Sequence, residues 1–344
     1  MSEAAPALTC WVVTDGRRGI ENQALGLAEA IGRLRPIAIK RKQITVREPW
    51  RSLPRSLWGD PFEKLDRDRS NLLRPPYPDI WIATGRQAVP FSIDVRRRRN
   101  APFVVQTQDP RAPSRSFDLV IPPHHDGLAG DNVFSILGSP NRLSPSRIGD
   151  DAAQLEPVLG DLPRPRVAVL IGGDSKSFKL SPARTEEIAD ELRKLAQSGA
   201  GLMVTTSRRT GMQATRRLQS ALSGAKAYFW DGEPIEGLEN PYFGILGLAD
   251  HILVTADSTN MATEAAATGK PVHVLPLDGG STKFDLFHRQ LRKYGAARWF
   301  DGELASWSYT PLRETDRAAA EVLRRYDARR AGGAGVERAE SAPI

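Results

Sequence analysis

The strongest constraint on the fold of this chain is a repeated exchange of hydrophobic period. Short apolar runs, each closed by a polar or glycine turn, alternate with segments of helical spacing. Leu8–Thr14 (LTCWVVT) closes at Asp15-Gly16, and 21–34 then carries Ala24, Leu27, Ala28 and Ile31 on one helical face. Runs at 37–39, 79–84, 103–107, 117–121 and 133–136 continue the series of strands, with a helix opening at Gly85. Residues 47–76, rich in Pro, Arg and Trp, read as an irregular segment crossing the surface. Strand alternating with helix predicts a parallel sheet.

The pattern stops at 140–165, where prolines crowd and periodicity fades, and then restarts. Strands are expected at 166–171, 202–206, 227–230, 251–255 and 272–275, with helices at 182–196, 211–222, 242–249 and 260–268. The reading is α/β, with two Rossmann-like domains whose parallel sheets face each other across a cleft. Its parts are 1–145, a linker at 146–165, a second domain at 166–300, a helical segment at 301–330 that can return to the first domain, and a flexible tail at 331–344.

Composition narrows the function. Hydrophobic residues make up 40% and charged residues 26%, a globular balance, and the 344 residues suffice for two cores. One cysteine, Cys10, leaves no internal disulfide framework and no Cys-cluster zinc site, as in a reducing compartment. No signal-peptide pattern and no spanning apolar run is present, so a cytoplasmic protein is expected. The net charge of +7 is uneven. Lys40, Arg41, Lys42, Arg47, Arg51 and Arg55, then Arg96 to Arg99, suit a solvated face or an anionic membrane surface, here the inner face of the plasma membrane. Neither zinc-finger spacing nor an aromatic RNA-binding strand occurs, so no nucleic-acid partner is expected.

Chemistry-bearing residues gather in turns that follow strands, on the edge where open α/β sheets bind ligands. In the second half, Asp257, Ser258 and Thr259 lead into a helix containing Asn260, Met261 and Glu264. Its start is a candidate diphosphate site, and Glu264 can accept from two ribose hydroxyls. An ordinary capped helix with a surface glutamate accounts for the same residues. After the strand at 166–171, Gly172, Gly173, Asp174 and Ser175 offer an anion nest or a tight βα turn, with neither a Walker A nor a GxGxxG pattern. Ser207 and Arg208 follow the next strand as candidate phosphate ligands.

In the first half, Asp15, Gly19, Glu21, Asn22 and Gln23 form the corresponding turn. Asp15 is the candidate base for an acceptor hydroxyl, with Glu21 and His125 in reserve. Gln108, Asp109 and Arg111 follow another strand, and His125 with Asp126 a third. Adjacent histidines rarely address one ion, so no metal is expected, and a histidine oriented by a carboxylate is the better use.

Taken in order, DGRRGIENQALGLAEAIG, QTQDPR, FDLVIPPHHD, VAVLIGGDSKSF, TSRRTG and NPYFGILGLADHILVTADSTNMATEAAATGKPV resemble the bacterial branch of the mitochondrial-fission (elongated-mitochondria) family. That resemblance implies a GT-B-like fold, distantly similar to UDP-sugar transferases such as the lipid-II-forming enzyme. There a polar turn and a helical glutamate hold the donor, which points to Ser258, Thr259, Asn260, Met261 and Glu264. It implies a metal-independent glycosyltransferase with no cofactor beyond a nucleotide-sugar co-substrate of the UDP type, acting on a lipid-linked or lipopolysaccharide-type acceptor. The plant member of the family, which recruits a dynamin-type GTPase to a membrane, implies the alternative of a non-catalytic adaptor.

Overall fold

A computed structural model describes residues 7–230, 232–235, 238 and 240–340. It divides into two compact units, 1–142 with 313–344, and 143–312.

The first unit is a five-stranded parallel sheet in the order β2-β1-β3-β4-β5: β1 (Leu8–Thr14), β2 (Ile37–Gln43), β3 (Ile80–Thr84), β4 (Phe103–Thr107) and β5 (Leu119–Ile121). A parallel sheet must be covered on both faces. One face, with Cys10, Val12, Ile80, Ile82 and Val105, lies under α1 (Arg18–Leu34), whose Ala24, Leu27, Ala28 and Ile31 are fully buried. The opposite face, with Trp11, Val13, Trp81 and Val104, packs against α2 (Val89–Arg96) and Ile44, Val46, Trp58, Leu65 and Leu73. Residues 47–76 therefore do more than cross the surface: their few apolar side chains replace a helix as the lid of the second face. Each such buried aliphatic or aromatic side chain contributes about 1.5–3 kcal/mol. The segment 133–136 forms isolated bridges to Val120 and Pro123 rather than the expected strand.

The 146–165 linker is corrected by the structure: most of it is helix α3 (Pro145–Leu159), part of the second unit. Ser144 accepts from the Arg147 amide at 3.2 Å, and Pro145 occupies the first helical position, where its missing N–H costs nothing. Prolines that dilute periodicity here start a helix instead of a linker.

The second unit is a six-stranded sheet, β13-β11-β10-β6-β8-β9, its paired neighbours all parallel. In chain order come β6 (Arg166–Ile171), β7 (Phe178–Lys179), α4 (Pro182–Gln197), β8 (Gly201–Thr206), α5 (Met212–Ala221), β9 (Ala227–Phe229), α6 (Tyr242–Leu248), β10 (His251–Thr255), α7 (Thr259–Ala267), β11 (Val272–Leu275), β12 (Asp278–Gly279), α8 (Thr282–Lys293) and β13 (Ala297–Trp299). β7 and β12 form a separate antiparallel pair. α6 packs on α3 through Gly247, where an added Cβ would lie 2.7 Å from that of Ala152. α9 (Glu314–Glu340) belongs to the first unit, with Ala318, Ala319, Val322 and Tyr326 in the cluster beneath α1. Its first turn is tied down by Leu137 N–H donating to Glu314 at 2.9 Å and Asn141 N–H donating to Thr315 Oγ1 at 3.1 Å. Residues 331–340 continue α9, and 341–344 lie outside the described residues. Among the described residues no helix is long and apolar enough to cross a membrane.

Candidate functional site

Strands β10, β6 and β8 are neighbours, so the turns at their carboxyl ends lie side by side in the second unit. Thr255 Oγ1, at the end of β10, accepts from the Gly172 amide at 2.7 Å and donates to Asp257 Oδ1 at 2.7 Å. Asp257 Oδ2 accepts from the Gly173 amide at 3.0 Å and pairs with Arg209 at 2.6 Å. The Asp174 amide donates to Arg209 O at 3.1 Å, and Thr210 Oγ1 donates to the carbonyls of Ile171 and Gly172. The Asp257 side chain is fully buried.

This network corrects the anion nest expected of Gly172 and Gly173. Their amides already serve a side-chain hydroxyl and a carboxylate, and a phosphate would meet Asp257. The glycines are needed for close approach: a Cβ on Gly172 would lie 2.1 Å from Asp257 Oδ1, and one on Gly173 2.1 Å from Arg209 O. Asp174 and Ser175 also act within their turn. Asp174 accepts from Leu180 N–H at 2.9 Å and from Lys179, which together hold its carboxyl below the usual carboxylate range. Ser175 Oγ accepts from the Phe178 amide at 3.0 Å, and Ser207 Oγ from the Arg209 amide at 3.1 Å. Arg208 is exposed.

The start of α7 is more open. Ser258 is its N-cap, accepting from Met261 N–H at 3.3 Å. The Thr259 amide, in the first turn, donates to no group among the described residues. Ser258, Thr259, Asn260 and Met261 are half-buried, so the positive end of the helix dipole is neither sealed nor fully solvated. Further along, Glu264 Oε2 accepts from the Tyr242 hydroxyl of α6 at 2.8 Å. Burial pushes the Glu264 carboxyl up to about 7, and the Tyr242 bond pulls it back. Burial likewise drives the Tyr242 hydroxyl well above its ordinary value, with the adjacent Glu264 charge adding to it. Sequence reasoning missed Tyr242 and the role of Asp257, and read Arg209 as a solvated helix start rather than the partner of Asp257. Only Asp257, polar at a strand end, left a legible signal.

In the first unit, Arg17 forks onto both oxygens of Asp15, at 2.7 Å in the closest contact. α1 starts just beyond, without a side-chain cap, and Glu21 lies in its first turn. Gln108 Nε2 donates to Gln23 Oε1 at 2.8 Å, joining the turn after β4 to α1. Asp109 pairs with Arg111 at 3.0 Å. The side chains of His125 and Asp126 are buried beside each other at 3.9 Å, after β5. Gly19 is exposed and Asn22 half-buried. The sequence-predicted residues of this unit thus fall into a β1 group, a Gln23–Gln108 link and a His125–Asp126 pair. Among the described residues no group of three or more His, Cys, Asp or Glu side chains could hold a metal ion.

The family model described as Mitochondrial fission ELM1 matches residues 18–326. The chain belongs to this family. Mitochondrial fission protein ELM1 of Arabidopsis thaliana is 30% identical over 291 residues, covering 75% of this chain and 67% of that protein. Uncharacterized protein RP120 of Rickettsia prowazekii (strain Madrid E) is 25% identical over 354 aligned residues, 91% of this chain and 97% of the relative. Among solved structures, a Listeria monocytogenes protein described as a UDP-N-acetylglucosamine 2-epimerase superposes with a TM-score of 0.52 at 12% identity, over 94% of this chain and 90% of that one. At that identity the likeness is one of fold, two parallel-sheet α/β units of the GT-B-like class.

Proposed function

We propose that the protein is a glycosyltransferase that takes a sugar from a nucleotide-diphosphate donor of the UDP type. The acceptor in this reading is membrane-associated, a lipid or lipopolysaccharide precursor, met at the cytoplasmic face of the plasma membrane. The observation that carries the reading is the start of α7: a half-buried helix end at the carboxyl edge of a parallel sheet, followed by a half-buried glutamate. Negative charge developing on the leaving diphosphate suits that dipole and the exposed Arg208, a stabilisation that needs no metal. Glu264 has one oxygen on Tyr242, and its other oxygen carries no hydrogen bond among the described residues, which suits a ribose hydroxyl. The fold likeness to a protein named for a UDP-sugar reaction supports the same donor class. Ser258, Thr259, Asn260, Met261 and Glu264 are the proposed donor residues. Asp15, Glu21 and His125 are the proposed candidates for the base, and Gln23, Gln108, Asp109, Arg111 and Asp126 with Gly19 and Asn22 the acceptor-side surface. At Asp15 an acceptor hydroxyl would have to displace Arg17.

Calorimetry with UDP, GDP and CMP sugars tests this. The expected result is binding of one donor class, weakened about ten- to a hundredfold by Glu264→Ala, the loss of a hydrogen bond to a charged group. A wild-type protein that binds none of them contradicts the reading.

A second reading, a non-catalytic adaptor that recruits a partner to a membrane, is supported by the name of the Arabidopsis relative and by the closure of the Gly172–Gly173 turn. A Glu264→Ala/Ser258→Ala protein that keeps full partner capture, beside a wild type blind to nucleotides, would favour it.

A further inference from the structure

The first unit holds a feature that nucleotide chemistry does not use. On the α2 face of its sheet, a cavity of about 510 Å³ lies between the 55–61 stretch, α2 and the loop after β4. Its apolar lining includes Trp58, Val89 and Ile93, and its charged lining includes Arg55, Arg97 and Arg111. Leu57, in the same short helical turn as Arg55 and next in sequence to Trp58, is 58% exposed, a large apolar side chain held in solvent.

The charge there is poorly compensated. Asp94, the one carboxylate in the lining, is bonded to Arg98 at 2.6 Å. Arg55 donates to the carbonyls of Pro110 at 2.9 Å and Arg111 at 3.1 Å, which anchors the stretch without cancelling its charge. Burial lowers the affinity of the Arg55 guanidinium for its proton, and the nearby Arg86 charge adds to this. Arg111 pairs with Asp109, while Arg97 is exposed and has no ion-pair partner among the described residues. The other basic run is more fully used inside the protein. Lys42 sits 4.4 Å over the Trp11 ring and donates to Leu72 O at 3.0 Å, and Arg47 donates to Glu63 O.

We propose that this groove docks the protein on a membrane, taking the headgroup phosphate and first acyl carbons of an anionic phospholipid. Guanidinium groups fork onto phosphate oxygens, and an apolar floor with an exposed leucine accepts the carbons that follow. The inference deepens the membrane-associated part of the proposed function and is independent of the donor.

The test is flotation of the full chain with phosphatidylcholine vesicles, with and without one part in four of phosphatidylglycerol. Wild type is expected to float with the anionic vesicles only. Arg97→Glu is expected to weaken binding about twenty-fivefold, since each basic residue near such a surface contributes roughly fivefold and its reversal counts twice. Arg216→Glu, an equal charge change on an exposed residue of the second unit, is expected to leave binding within about twofold. Leu57→Asp is expected to lose binding where Leu34→Asp, on an equally exposed leucine of α1, does not. UDP-sugar calorimetry of Arg97→Glu is expected to match wild type. A donor-blind protein that still floats through this groove would sink the transferase reading and leave the docking site standing. Equal binding to neutral vesicles, equal losses in the matched variants, release by inorganic phosphate at the headgroup concentration, or no flotation at all would each overturn the proposal.

Discussion

The two units end their parallel strands in turns of similar composition but opposite construction. In the second unit, the turns after β6, β8 and β10 are fastened by one buried carboxylate, Asp257, which holds a backbone amide, a threonine hydroxyl and Arg209. In the first, Asp15 is held by Arg17, a neighbour in sequence that is 59% exposed, and α1 starts without a side-chain cap. A polar turn at a strand end is therefore not by itself a ligand site. Where its groups satisfy one another across strands it is part of the frame, and where a carboxylate is held only by a sequence neighbour that faces solvent, as Asp15 is by Arg17, that partner can be exchanged.

The largest expected effect breaks the frame. Asp257→Ala leaves the buried Gly173 amide and Thr255 hydroxyl without their acceptor, while Arg209, 39% exposed, can turn to water, and should cost about 2–4 kcal/mol in urea denaturation. Asp15→Ala, its counterpart, should cost less, about 1 kcal/mol, because Asp15 is itself buried at 4% side-chain exposure but its partner Arg17 is 59% exposed and can turn to water. Equal effects would erase the distinction between the two edges. Gly172→Ala comes next. With no room for a Cβ beside Asp257, the same measurement should register a loss of about 1–3 kcal/mol.

A smaller effect sharpens the picture at α7. Tyr242→Phe removes one bond to Glu264, a cost of roughly 1 kcal/mol at pH above the Glu264 transition. The folded Glu264 carboxyl titrates near 7, above its ordinary 4.5, so the folded protein holds the proton longer than the unfolded chain. That contribution to stability is complete below about pH 4.5 and is lost as pH rises through about 7. Tyr242→Phe should move the upper end of that window to higher pH, read from denaturation midpoints across pH. An unchanged window would mean that the hydroxyl does not set the carboxylate.

Much of the frame was legible because buried parallel strands leave continuous apolar runs. The bounds of β1, β4, β6, β10 and β11 coincide with runs read directly from residue type. α3 was not, since Ser144-Pro145 resembles a linker until the helix it caps is recognised. Residues 47–76 hid their role because a few apolar side chains with no period close one face of a sheet. In the candidate site, the residues of α7 could be named from the turn–helix pattern. Tyr242 could not, as its bond to Glu264 joins positions 22 residues apart through packing that no local pattern encodes. The same holds for Arg209, whose partner lies across two strands. Spacing reveals which residues share an edge, and packing decides which of them are already spent on each other.

Difference density from crystals soaked with UDP would test the central assignment most directly. The account predicts the diphosphate on the Thr259 amide at the start of α7, with a ribose hydroxyl within hydrogen-bond reach of Glu264. A nucleotide bound away from α7, or an α7 start left bare at saturating UDP, would contradict it.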